Sequence, residues 1–245
     1  MEKDLLYQKI LNESEKDNNI IGFVLVAGRG KGFSTEYSDY DTMMIVADGK
    51  EDQYKEQYKN FNDTCDVYVK LFSLSEFEKY AEWGSDFEWD RYNFAHLKAQ
   101  IDKTGEIQKI INEKGKLPEG KIREIVSFNL GCYINSYHRA VKNHRDKNEA
   151  ASHFDAAESI PLLLSALFAL EGRMRPYNKF LEWELEKYPL AKIPWDGITF
   201  FDMLRKIIDT GDIKTQKEIF NQVKNLFCNN GYKDEINEWN CYYMG

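Results

Sequence analysis

Two aspartates, Asp39 and Asp41, stand at the start of an apolar run, Met43 to Val46, and follow a glycine-rich stretch in which Gly28, Gly30 and Gly32 alternate with Arg29 and Lys31. Side chains at i and i+2 of a β-strand leave on the same side, so this spacing aims both carboxylates at one partner. Paired hard oxygen ligands suit Mg²⁺, and a cation placed between them and a polyphosphate would offset their mutual repulsion. Glycine backbone, free of Cβ, lets amides approach an anion closely. The pattern predicts phosphoryl or nucleotidyl chemistry, with Asp39 and Asp41 as metal ligands and Gly28, Arg29 and Ser38 beside the polyphosphate.

The elements that must position these groups are short strands. Ile20 to Val26 is rich in β-branched and aromatic residues and reads as the first, and Met43 to Val46 as the second, with the glycine-rich stretch a loop between them. The plainer alternative is a hairpin whose aspartates merely keep an edge soluble, but glycines, aspartate spacing and flanking strands agree on the first reading. Other glycine-loop motifs fail. The dinucleotide fingerprint, the kinase loop and a Walker A loop beginning at Gly28 all require glycine where Phe33 stands, and no helical pattern follows.

Cys65 to Phe72 alternates as a third strand, with Asp66, Tyr68 and Lys70 on one face and Val67, Val69 and Leu71 on the other. Asp66 on the active face would complete a carboxylate trio, and Asp63 competes for that place. Helices are expected over Asp4 to Asn18, over Glu51 to Asn60 with Tyr54, Tyr58 and Phe61 turned inward, and over Ser75 to Trp83 with Ser75 as N-cap and Glu78 closing a capping box. Asp86 to Tyr92 is dense in acids and rings. Asp86, Glu88 and Trp89 could grip a cationic ring system by charge and stacking, but the plainer reading is a solvated helix N-terminus with acids against its dipole. His96 to Ile101 reads as a short strand and Ile107 to Asn112 as a helix.

Glycine, proline and charge over residues 115–120 mark a boundary, so the chain is expected to be α+β in two domains: 1–116 with a mixed sheet, and 117–245 an all-helical bundle, with a cleft facing the Asp39 loop. Apolar residues from Ile122 onward recur at three and four residues. Ala150 to Glu171 is the most apolar helix, kinked by Pro161 and ended by Gly172, and a further helix opens over Arg173 to Lys179. Segments 200–210, 214–229 and 232–243 complete the bundle.

The chain has 245 residues, with 33 Lys and Arg against 41 Asp and Glu, a net charge of −8 that argues against a nucleic-acid binder. Cys65, Cys132, Cys228 and Cys241 show no metal or disulfide spacing, and the histidines form no zinc motif. The N-terminus has no apolar leader, and Ile160 to Leu170 is too short to span a bilayer, so a reduced, cytoplasmic protein without membrane contact is expected.

Gly28 followed by Ser38-Asp39-Tyr40-Asp41 resembles the polymerase β-like nucleotidyltransferase superfamily, and Lys31-Gly32 with Glu36 to Asp41 looks like the bacterial aminoglycoside and lincosamide adenylyltransferases. The family's Gly-Ser dipeptide is altered here, falling on Ala27-Gly28 or Gly28-Arg29. The resemblance implies ATP as co-substrate, Mg²⁺ as cofactor, and transfer of AMP to a hydroxyl of a small molecule such as one of those antibiotics. It also implies a third acid on an adjacent strand, for which Asp66 is best placed, and a reserve general base in the helical half, Glu158. Arg91, His96, Asp102 and Gly105 look like family positions. Lys179, with Arg173 or Arg175, would reach the triphosphate or would simply balance a helix C-terminus. The rival readings are an adenylyltransferase acting on a protein hydroxyl and a module that binds nucleotide without transfer; a homodimer stays open.

Overall fold

The computed structural model describes residues 2–58 and 66–239. The chain is α+β and divides into two compact units, Met1–Lys116 and Leu117–Gly245. The first carries a sheet of β1 (Ile20–Leu25), β2 (Tyr40–Val46), β3 (Val67–Ser73) and β4 (Ile101–Asp102), in the order β3-β2-β1-β4. β2 and β3 run parallel, whereas β1 is antiparallel to both β2 and β4, so the sheet is mixed.

Alternation along the strands sorts side chains onto two faces. Phe23, Met44, Val46, Val67 and Val69 pack with Tyr7 and Ile10 of α1 (Glu2–Lys16) and with Tyr54 and Tyr58, from the helix that follows β2. Val24, Met43, Ile45 and Phe72 turn the other way, onto Phe77, Phe94, Ile107 and Ile111. Burying side chains of this kind contributes about 1.5–3 kcal/mol each, which is what fixes the strand register.

Between β1 and β2 the chain makes one helical turn, α2 (Ala27–Gly30), where the sequence reads as loop throughout. The turn closes because Gly30 can approach the strand it leaves: a Cβ there would stand 2.1 Å from the Leu25 carbonyl oxygen. α3 (Glu51–Tyr58) follows β2, and Phe61, Asp63 and Cys65 lie outside the described residues.

β3 runs directly into α4 (Leu74–Lys79), which moves the cap two residues upstream of the expected Ser75 and Glu78. Ser73 Oγ accepts from the Glu76 amide at 3.2 Å and Glu76 Oε2 accepts from the Ser73 amide at 2.8 Å. Ser75 is instead held by Asp48, to which its hydroxyl donates at 2.7 Å. A 3-10 helix, Glu88–Phe94, and α5 (Glu106–Lys114) cover the same face of the sheet. The strand expected over His96 to Ile101 shrinks to β4, since His96 takes a left-handed φ of 63° that a strand cannot accommodate.

The second unit is built on α6 (Glu119–Arg145) and α7 (Glu149–Leu170), followed by α8 (Leu181–Lys187), α9 (Gly197–Thr210), α10 (Ile213–Asn229) and α11 (Lys233–Asn237). α7 is continuous through Pro161 and is followed by Gly172 with φ 68°. The whole of α7, unlike the shorter stretch Ile160–Leu170, is long and apolar enough by length and composition to cross a membrane, but half of its most apolar window is buried inside the fold. Arg173 to Tyr177 are not helical as expected; a 3-10 turn, Asn178–Phe180, leads into α8. Cys241 and Tyr243 lie outside the described residues.

Candidate active site

The aspartates occupy the N-terminal ends of the two parallel strands. Asp39 immediately precedes β2, Asp41 is its second residue, and Asp66 immediately precedes β3. Tyr40 pairs with Val67 and Asp41 with Tyr68, and the Tyr40 amide donates to the Asp66 carbonyl at 2.9 Å. Neighbours in a parallel ladder face the same way, so Asp39, Asp41 and Asp66 share one face of the sheet, the face that also carries Met43, Tyr68 and Lys70. Asp39 and Asp66 are exposed and Asp41 is half-buried. Among the described residues no group of three His, Cys, Asp or Glu side chains is gathered closely enough to hold a metal ion as it stands. Adjacent strand ends and hard carboxylate donors are the chemistry that suits a divalent cation such as Mg²⁺.

The glycine stretch is less open than its composition implies. The amides of Gly30, Lys31, Gly32 and Phe33 donate to the carbonyls of Val26, Ala27, Arg29 and Gly28 at 3.1, 3.2, 3.1 and 2.7 Å, so those amides are spent on the turn itself. Gly28 is buried at its centre. Lys31 is also buried, its ammonium donating to the carbonyls of Tyr92, Asn93 and Ala95 and standing 4.6 Å from the Tyr92 ring centroid. It ties the turn to the 3-10 helix.

Arg29 joins the turn to the aspartates. Its Nη2 donates to the Ser38 carbonyl at 2.8 Å and its Nε to the Asp39 carbonyl at 2.9 Å, while the guanidinium lies 3.9 Å over the Tyr40 ring. Ser38 Oγ accepts from the Thr35 amide at 2.9 Å, and Lys3 Nζ donates to the Ser38 carbonyl at 2.9 Å. Arg29 and Ser38 thus fix the backbone on which Asp39 stands.

The acid and aromatic segment divides differently from its sequence reading. Glu88 accepts the Gly84 amide at 2.6 Å, and Phe87 and Trp89 are exposed at 48% and 65%, whereas Asp90 is buried. Lys70 Nζ donates to Tyr80 Oη at 2.7 Å, Tyr80 Oη donates to Asp90 Oδ2 at 2.5 Å, and Asn93 donates to Asp90 Oδ1. The ammonium lies 4.0 Å from the Tyr80 ring centroid and 5.2 Å from that of Phe87. Burial lowers the Lys70 pKa, and the Asp90 charge pulls it partly back. Strand alternation placed Lys70 on the aspartate face; its partners lie far along the chain and leave no local signal.

Family-like positions in this unit serve the fold. Arg91 is buried and donates to the Ala81 and Lys116 carbonyls at 2.9 and 3.1 Å. Asp102 accepts the Gly105 and Gln108 amides at 2.7 and 2.9 Å at the start of α5, where Gly105 takes φ 79°. Desolvation raises the Asp102 pKa, but the backbone hydrogen bonds outweigh it and hold the carboxyl below its usual value.

In the helical unit, Glu158 pairs with Arg139, which also binds Asp155 at 2.9 Å. Arg173 donates to Glu184 at 2.6 Å and to the Tyr188 carbonyl at 2.7 Å; Arg175 donates to Asn178 at 2.7 Å. Lys179 is exposed, its ammonium 5.5 Å from the Phe180 ring centroid.

No family model and no curated protein matches the chain. Among solved structures it is similar to a nucleotidyltransferase-like protein from Exiguobacterium sibiricum, with 10% sequence identity over 92% of this chain and 77% of that chain and a TM-score of 0.41.

Proposed function

We propose that the chain is a nucleotidyltransferase that moves a nucleoside monophosphate, AMP from ATP, onto a hydroxyl of a small molecule. The observation that carries this reading is the placement of Asp39, Asp41 and Asp66 on one face at the ends of adjacent parallel strands, beside a glycine turn pinned to them by Arg29. Such a face favours a cation-bound polyphosphate over a bare acceptor.

In this mechanism Asp39 and Asp41 would hold Mg²⁺, and Asp66 would either add a ligand or take the acceptor's proton. Bound there, the cation would offset charge on the phosphates and orient them. Asp66, exposed at the end of β3, is the group we assign to receive the acceptor's proton. The acceptor oxygen forms a bond to the α-phosphorus, the bond from that phosphorus to the bridging oxygen of the β-phosphate breaks, and pyrophosphate departs with the electron pair. Arg29 and Ser38 keep Asp39 in place through its backbone. Gly28, buried at the centre of the turn, shapes the loop that stands beside the aspartates.

The acceptor classes to test first are the aminoglycosides and lincosamides suggested by the Glu36 to Asp41 motif, and then protein hydroxyls. Incubation with labelled ATP, Mg²⁺ and such a panel tests the reading. Product that depends on Asp39 and Asp41 supports it; binding of ATP without any product across the panel favours a nucleotide-binding module instead.

A further inference from the structure

Lys70 is a cation on the carboxylate face that the mechanism above does not use. It lies opposite Met43 in the parallel ladder, one same-face step beyond Tyr68, which lies opposite Asp41. The other cations near the turn, Lys3, Arg29 and Lys31, direct their charge onto backbone carbonyls of their own surroundings. Lys70 instead donates to a neutral hydroxyl, that of Tyr80, whose own proton goes to Asp90. An ammonium has three donors, so the bond to Tyr80 orients the group and leaves capacity for a ligand.

β3 is an edge strand of the sheet, and along it opens a cavity of about 230 Å³ lined by Lys55, Tyr58, Tyr68 and Lys70 together with Val69 and Leu71. The Tyr68 ring is 44% exposed beside it. The rings of Tyr80 and Phe87, which could otherwise cradle a cationic ligand, already hold the Lys70 ammonium. A polycation would have to displace it, whereas an anion meets a partly desolvated charge held in place.

We propose that this cavity, at the β3 edge where Tyr58, Val69 and Leu71 of the opposite face meet Tyr68 and Lys70 of the carboxylate face, is an anion-binding subsite in which Lys70 takes a phosphate group and the Tyr68 side chain lies alongside. Its use during transfer rests on the nucleotidyl-transfer reading. The phosphate has two sources, the polyphosphate of the nucleotide or a phosphate carried by the acceptor, and in the second case acceptors are anionic rather than polycationic.

Isothermal titration with inorganic pyrophosphate, without metal, tests the subsite on wild type, Lys70→Met, Lys70→Gln and Lys70→Arg, each checked by circular dichroism for retained fold. Losing a charge-assisted bond weakens binding by about ten- to a hundredfold, so that loss is expected in the Met and Gln variants, with the Arg variant within about threefold of wild type. Equal pyrophosphate affinity in all four proteins, or no binding by wild type, overturns the proposal. Competition by ATP assigns the phosphate to the nucleotide; competition by a hexose phosphate alone assigns it to the acceptor. Lys70-dependent pyrophosphate binding in a protein that transfers no nucleotide would sink the transferase reading and keep the subsite, and transfer alongside Lys70-independent binding would do the reverse.

Discussion

Tyr40 donates its amide to the carbonyl of Asp66 across 2.9 Å, the rung of the ladder that brings the end of β3 level with the aspartates of β2. Because β2 and β3 are parallel, that rung sets Asp66 beside Asp39 rather than at the far end of the sheet. The third acid is therefore positioned by backbone pairing, and its role can be separated from those of its neighbours.

Asp39→Asn and Asp41→Asn are each expected to cut nucleotide transfer by at least about a hundredfold while leaving the melting temperature nearly unchanged, since the pair sits at a strand end and not in the core. Product formation and thermal melts, run together, check this. A variant that transfers normally removes the pair from the mechanism.

Asp66→Asn should abolish transfer yet weaken ATP binding less than either change on β2. Proton removal from the acceptor develops only towards the transition state, whereas phosphate contacts already exist in the ground state. Affinity and turnover measured side by side decide it; parallel losses would make Asp66 a ground-state ligand only.

Mg²⁺ should raise the melting temperature of the wild-type protein by a few degrees at millimolar concentration, because binding to the folded state alone stabilises it by mass action. The Asp39→Asn/Asp41→Asn double variant should show no such rise. An equal rise in both proteins would place the cation elsewhere.

The helical unit offers a test of stability apart from the chemistry. Asp212 caps α10, accepting the Thr215 amide at 2.8 Å and hydroxyl at 2.6 Å. Hydrogen bonds from the Thr215 side chain, then its backbone, hold the carboxyl down at about 2, below the ordinary 3.8 of an aspartate. A depressed folded-state pKa means the contribution is fully present above pH 3.8 and is lost as pH falls through about 2. Asp212→Ala should therefore cost about 1 kcal/mol in urea unfolding at neutral pH, with the gap to wild type closing below about pH 3. A gap that persists at pH 2 would assign the loss to packing.

Much of this arrangement was legible in the sequence because it is local. Apolar runs, the i, i+2 aspartates and the alternation around Asp66 each report a strand and its faces, and helical spacing reports the second unit. What escaped depends on long-range contact. The turn at Ala27–Gly30 reads as loop because its closure needs Gly30 against Leu25. Ser75 loses the cap to Ser73 because β3 ends where α4 begins, and Ser75 is claimed by Asp48 from another loop. Lys31 and Arg91 are buried on backbone carbonyls, a fate decided by tertiary packing that the local sequence does not report. The Lys70, Tyr80, Asp90 chain is invisible locally for the same reason.

The central claim is most directly tested by following two labels in ATP with Mg²⁺ and the acceptor panel. We predict that label on the α-phosphate enters the acceptor, label on the γ-phosphate leaves in pyrophosphate, and both outcomes vanish in Asp39→Asn. Transfer of the γ-label to an acceptor, or entry of the α-label that survives in Asp39→Asn, would contradict the account.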